Sequence, residues 1–313
     1  SASGLASAGG AAMSERKIHL AEGPEWGTLA LILICYALWA AALFLLPAGV
    51  AAWMLLALAV ILQSSLTHEV LHGHPFRSKR LNEALMFLPL GLFIPYGRFR
   101  DTHLAHHEDE RLTDPYDDPE SNLQDPAVWA AMPRWQRALM RFNNTLLGRM
   151  LLGPLIGQLC FMKGDWAALR QGNRAVLRDW LLHLAGLIPV LWCAAASALP
   201  LWAYLTAAYA GMSVLKIRTF LEHRAHEDVH ARTVIVEDKG PLAFLFLFNN
   251  LHIVHHRYPG VAWYRLPGLY RAYRDRFQAE NQAYVYRSYA EVFRRYFLRA
   301  KDPVPHPLWQ QGE

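Results

Sequence analysis

Four uncharged apolar runs constrain this chain more than any other feature. Residues 27–46, 49–66, 180–199 and 201–215 contain no Asp, Glu, Lys or Arg. The first is as long as a helix that crosses a bilayer core. Pro47-Ala48-Gly49 separates the first two and Pro200 the last two. Each pair therefore reads as a helical hairpin, and a large soluble core does not explain uncharged runs of this length. Arg16, Lys17, Arg77, Lys79, Arg80, Lys216, Arg218 and Arg224 all fall on the side away from the two hairpin turns. The excess of basic loops on one side places both termini and the large loops in the cytoplasm.

Two further apolar stretches fit this scheme less simply. Residues 84–97 are short and contain Pro89 and Pro95, and residues 145–162 contain Arg149, Pro154 and Gln158. Both read as interfacial or re-entrant helices. The first twelve residues, small and flexible, read as a cloning scar or linker. Residues 13–302 form one membrane domain, and the Pro-rich residues 303–313 form a loosely held tail.

Composition narrows the class. With 53% apolar and 18% charged residues the chain is not disordered. A net charge of +5 suits a membrane surface better than a nucleic-acid groove. The three cysteines, Cys35, Cys160 and Cys193, lie in apolar runs and argue against a disulfide framework or a thiolate metal site.

The 15 histidines matter through their spacing. His68 and His72 form an HxxxH motif directly after the second run. His103, His106 and His107 form HxxHH, and His252, His255 and His256 repeat it far downstream. On a helix, positions i, i+3 and i+4 share a face, so each cluster can aim its imidazoles at one point. A tetrahedral zinc takes at most four such ligands. Eight nitrogens therefore suggest two metal ions with room for oxygen. A different reading takes HExxH at 68–72 alone, as in an intramembrane zinc protease with Glu69 as general base. It leaves the two matched downstream clusters unexplained. All the boxes must meet on one side of the membrane, so an even number of crossings separates the second from the third. Residues 180–199 and 201–215 supply two, and residues 145–162 should not cross.

This set of boxes resembles the membrane fatty-acid desaturase and hydroxylase superfamily, which includes alkane hydroxylases and carotenoid ketolases. The resemblance covers about residues 62–267. It implies an all-α integral membrane fold, with four transmembrane helices in two hairpins under a cytosolic helical cap. It also implies a non-haem di-iron centre held by His68, His72, His103, His106, His107, His252, His255 and His256. The segment ending in Glu222-His223 resembles the sequence that follows the last span in carotenoid ketolases and alkane hydroxylases. His223 is thereby the implied ninth ligand, with His226 next. Stearoyl-CoA desaturases carry an Asn four residues before this His, and Thr219 departs from that pattern.

Neutral histidines do not offset the charge of two ferrous ions, so nearby carboxylates are expected to do so and to orient the rings. Candidates are Glu69, Asp101, Glu108, Asp109, Glu222 and Glu227. The run Thr113-Asp-Pro-Tyr-Asp-Asp-Pro-Glu120 reads either as a further source or as an ordinary solvated turn. Asn249 and Asn250 are placed to hold a ring N–H or a water; Glu69, Asp101, Glu222 and Asn250 are the chosen catalytic candidates. His74 reads as a helix-end residue or an extra ligand, His183 as a core or substrate-path residue, and His19, His230 and His306 as surface residues.

The implied chemistry is dioxygen activation at two irons followed by oxidation of an unactivated C–H bond of a fatty acyl or other lipid substrate. Desaturation is the leading outcome, with hydroxylation or oxidative decarboxylation to a terminal alkene as alternatives. The chain carries no dinucleotide-binding fingerprint and no cysteine set for an iron–sulfur cluster. Electrons then come from a separate ferredoxin, rubredoxin or cytochrome with its reductase. Residues 257–301, with ten basic residues against three acidic ones, are a docking face for that donor or for anionic head groups.

Overall fold

The computed structural model describes residues 23–309. The proposed linker, Arg16, Lys17, His19 and the last four residues lie outside the described residues. Helix α1 (Trp26–Phe44) and α2 (Val50–Leu71) form the first hairpin. They pack through Ile32, Cys35 and Trp39 against Leu56 and Ala59. Helix α2 runs on past the apolar run and carries His68 within its last turn. Next come α3 (Lys79–Leu85), capped by Ser78, and α4 (Tyr96–His106), which carries the first HxxHH box. Helices α5 (Pro126–Ala131) and α6 (Arg134–Asn143) lead to α7 (Leu146–Arg170), capped by Thr145. Helices α8 (Arg174–Ala196) and α9 (Leu201–Thr219) follow across the turn at Pro200, but α9 packs chiefly against α2 and α7 rather than against its expected hairpin partner α8.

The cap follows. Strands β1 (Ile235–Val236) and β2 (Val285–Tyr286) pair in parallel as a two-residue ladder. Between them lie α10 (Pro241–Leu245), α11 (His252–Arg257), α12 (Leu266–Ala272) and α13 (Arg274–Glu280), and α14 (Tyr289–Tyr296) closes the series. The architecture is all-α apart from that ladder. Exposed Leu33, Ile188 and Trp192 on the long helices form an apolar exterior suited to lipid rather than water.

Two further details differ from the sequence expectations. Residues 146–170 form one unbroken helix despite Pro154. By length and composition α7 is a candidate span alongside α1, α2 and α8, whereas α9 is not in that set. Tyrosines, Thr206, Ser213, Lys216 and Arg218 dilute α9. It is nonetheless central, because Gly211 admits close approach to α2: a Cβ there would sit 2.8 Å from Val60. Both ends of α7 meet residues near the histidines. Leu146 packs with Phe220, and Asp165 accepts bonds of 2.8–3.0 Å from Arg98. The tail is the second of these. Val304 is buried and bonds Gln124 through its carbonyl at 2.9 Å, and His306 lies 3.3 Å from the Thr113 hydroxyl.

Residues 86–95, expected as part of a short helix, are instead non-helical, broken by Pro89 and Pro95, yet packed among the long helices, where unpaired backbone groups are costly. Long side chains supply the missing partners. Gln63 donates to the Leu88 carbonyl and accepts from Leu90 N–H at 2.9 Å. Tyr204 and Gln158 donate to the carbonyls of Leu90 and Phe93, each at 2.9 Å. His183 Nε2 lies 2.8 Å from the Leu92 carbonyl. These contacts hold the segment as a loop among the long helices, and His183 serves it while also lining the adjoining cavity.

Candidate metal centre

Nine histidines converge in two groups. His68, His72, His103, His107 and His255 bring one ring nitrogen each within 4.8 Å of one another, as do His106, His223, His252 and His256. The split follows from helix geometry. In each HxxHH box the i and i+4 rings meet edge to face on one side of the helix, and the i+3 ring diverges. The second box gives His103 and His107 to the first group and His106 to the other. The third box does the reverse, with His255 crossing over. His68 and His72, one helical turn apart on α2, complete the larger group. His223, just beyond α9, completes the smaller.

The outer ring nitrogens are held from behind. His103 Nδ1 lies 2.8 Å from Glu120 Oε1, and His106 Nδ1 lies 2.7 Å from Asp118 Oδ1. His252 Nδ1 lies 2.9 Å from Asn249 Oδ1, and His223 Nδ1 lies 3.2 Å from the Thr233 hydroxyl. These contacts turn the Nε2 atoms inward. There they face one another at 2.9 Å (His106–His223), 3.0 Å (His103–His107), 3.1 Å (His107–His255) and 3.2 Å (His223–His252). Lone pairs brought this close repel unless a cation sits between them. A metal–imidazole bond of about 2.1 Å separates donors by about 3.0 Å at a right angle and about 3.4 Å at a tetrahedral one. The observed spacing is that of nitrogens that could share a metal ion. The buried Nε2 of His72 has no hydrogen-bond partner among the described residues, as a metal-directed nitrogen requires.

Electrostatics favour neutral ligands. Burial first, and neighbouring imidazoles second, hold His72, His107, His223, His252, His255 and His256 below the usual histidine range. His106 is the exception. Burial lowers it, but Glu120 and Asp118 outweigh that and push it up to about 9, so a metal ion would displace a proton there. Glu120 is held well below the carboxylate range: burial raises it, and His106 and His103 more than offset this. Burial raises Glu222, against the opposing charge of Arg218.

The expected outer residues divide. Glu222 pairs with Arg218 and lies 3.8 Å from His252 Nδ1. Asp101 is brought elsewhere: it bonds Arg100 at 2.8 Å and is half exposed, because two residues before His103 is the opposite face of α4. Asn250 binds the carbonyls of Val236 and Asp238, and its neighbour Asn249 takes the ring contact instead. Glu69 points away from both groups. Its Oε1 accepts from Trp263 N–H at 2.8 Å and lies 3.7 Å from His74 Nε2. His74 pairs with Glu25 and is no member of either nitrogen group. His226 accepts from Asp228 N–H, Glu108 pairs with Arg111, and Glu227 is exposed. The Asp109 side chain lies outside what is described. The carboxylates that do reach the rings, Asp118 and Glu120, belong to the Asp-Pro run, which is therefore more than a solvated turn.

A cavity of about 820 Å³ opens beside the smaller group. It is lined by His103, His106 and His223 at one end and reaches Val60, Leu182 and Leu215 on the long helices.

The sequence profile of the fatty acid desaturase family matches residues 45–288, which include all nine histidines. The chain belongs to the fatty acid desaturase family. It is thus a membrane oxidoreductase of the desaturase–hydroxylase kind. A similar protein is the beta-carotene ketolase of Paracoccus sp. (strain N81106 / MBIC 01143). It is 27% identical over 223 residues, covering 69% of this chain and 74% of the ketolase.

Proposed function

We propose that this desaturase-family chain is a di-iron oxidase that uses dioxygen to oxidise an unactivated C–H bond of a fatty acyl or other lipid substrate, most simply by desaturation. The observation that carries this is the pair of nitrogen groups opening onto a cavity walled by apolar residues of the long helices. The five-nitrogen and four-nitrogen groups would each hold one iron, and the pair supplies dioxygen reduction coupled to C–H oxidation. Desaturation consumes one dioxygen, two electrons and two protons, and releases two waters. Hydroxylation takes the same inputs and leaves one oxygen on the substrate. The chain's own residues do the positioning. Asp118, Glu120 and Asn249 fix ring orientation, Glu222 adds negative charge beside His252, and the loop at residues 86–95 shapes the cavity wall.

The two electrons come from a separate ferredoxin, rubredoxin or cytochrome with its reductase. Arg77, Lys79, Arg80 and Arg224 lie in the segments between the long helices that adjoin the histidines, which favours a cytoplasmic centre. The position of Glu69 weighs against a zinc protease, since a general base must reach the metal-bound water. The test is direct. Purified protein should hold about two irons per chain and, with reductant and dioxygen, convert a fatty-acid panel to unsaturated or hydroxylated products. A single zinc with no dioxygen uptake would defeat this reading.

A further inference from the structure

Five cationic side chains line the cavity: Arg98, Arg149, Lys216, Arg218 and Lys301. Three have carboxylate partners: Arg98 with Asp165, Arg218 with Glu222, and Lys301 with Asp302. Arg149 and Lys216 have none in contact among the described residues. Arg149 is 4% exposed, and its guanidinium bonds two neutral groups, the Asn143 carbonyl at 2.9 Å and Asn144 Oδ1 at 3.1 Å. Lys216 lies one turn before the end of α9. It extends over Gly153 and Gly157 of α7, where a Cβ on Gly157 would meet its Nζ at 3.7 Å. The carboxylates acting from further off, Glu120 and Glu222 on Lys216 and Asp302 on Arg149, are engaged by His103, Arg218 and Lys301.

A buried Arg149 beside a half-buried Lys216, with no carboxylate in contact with either, is costly, and that cost is relieved by an anion. The same cavity presents Phe93, Ile156 and Leu215, which suit a hydrocarbon chain. We propose that Lys216, supported by Arg149, binds the carboxylate of an acyl substrate, so that a free fatty acid rather than a neutral hydrocarbon occupies this cavity. The inference rests on the oxidase reading for what happens next, but binding is independent of turnover.

The test measures binding of dodecanoate, dodecanol and methyl dodecanoate to the metal-loaded full chain in detergent, without reductant. Dodecanoate should bind at least about tenfold more tightly than the alcohol or ester. Lys216→Gln should abolish that preference, and Lys216→Arg should keep most of it. Equal binding of the acid and the alcohol to the unaltered protein would overturn the proposal without any variant. So would a preference that survives in Lys216→Gln. Displacement of dodecanoate by acetate at equal concentration would mean a site for small free anions, and would overturn the acyl part. Protein that prefers the acid yet oxidises nothing would leave this proposal standing and defeat the oxidase reading.

Discussion

The Nε2 atoms of His106 and His223 lie 2.9 Å apart although 117 residues separate them in the chain. Each belongs to the four-nitrogen group, and neither can satisfy the other as a neutral ligand. His223→Ala should therefore remove the metal held by that group and spare the five-nitrogen group. Metal content should fall by about half, with turnover abolished. Elemental analysis decides this, and an unchanged metal content would remove His223 from the ligand set.

The carboxylates behind the rings carry a second expectation. Glu120→Gln or Asp118→Asn should weaken metal retention by about 10–100-fold, because the rings lose the partner that fixes their tautomer and direction. Asp101→Asn should change nothing beyond its surface pair with Arg100. Chelator competition on the three variants would test the contrast, and equal behaviour of all three would contradict it.

Acid should destabilise the metal-free protein. Six ring histidines have folded values below their unfolded value of about 6.5. Above that pH both states are neutral and these groups contribute nothing. Below it the unfolded chain takes up protons that the folded chain refuses, so stability falls by up to about 1.4 kcal/mol per pH unit per group. His106 acts oppositely. Its raised value adds stability below about 6.5 that is lost as pH rises through about 9. The net expectation is a thermal midpoint that drops steeply from pH 7 to pH 5. A flat profile would mean that the rings are solvated.

The loop at residues 86–95 depends on Gln63, which satisfies two backbone groups at once. Gln63→Leu should lower stability by about 2–4 kcal/mol, since both groups lose their partner among the long helices. Thermal unfolding in detergent reads the loss.

Glu69→Gln should retain both metals, because the side chain serves Trp263 and His74 rather than the rings. Its amide oxygen still accepts from Trp263 N–H. Glu69→Ala should cost about 1–3 kcal/mol by leaving that buried N–H unpaired. Loss of metal in Glu69→Gln would place the carboxylate in the centre after all.

Much of this protein is legible in one dimension because its signals are periodic or local. Uncharged runs of membrane length declare the long helices whatever they pack against. Histidines at i, i+3 and i+4 share a helix face before any partner is known. What the sequence alone left open depended on direction and on contacts between distant segments. The division of each HxxHH box between two groups needs the helices' mutual orientation. The preference for Asn249 over Asn250 depends on which one the Val236 and Asp238 carbonyls claim, and Asp101 is lost to the opposite face of α4. Asp118 and Glu120 reach the rings only because the Asp-Pro run folds back beneath α4. The continuity of α7 through Pro154, and the pairing of every cavity cation except Arg149 and Lys216, are likewise decided by packing. Spacing along a chain sets which face a side chain occupies; only the fold brings a second face against it.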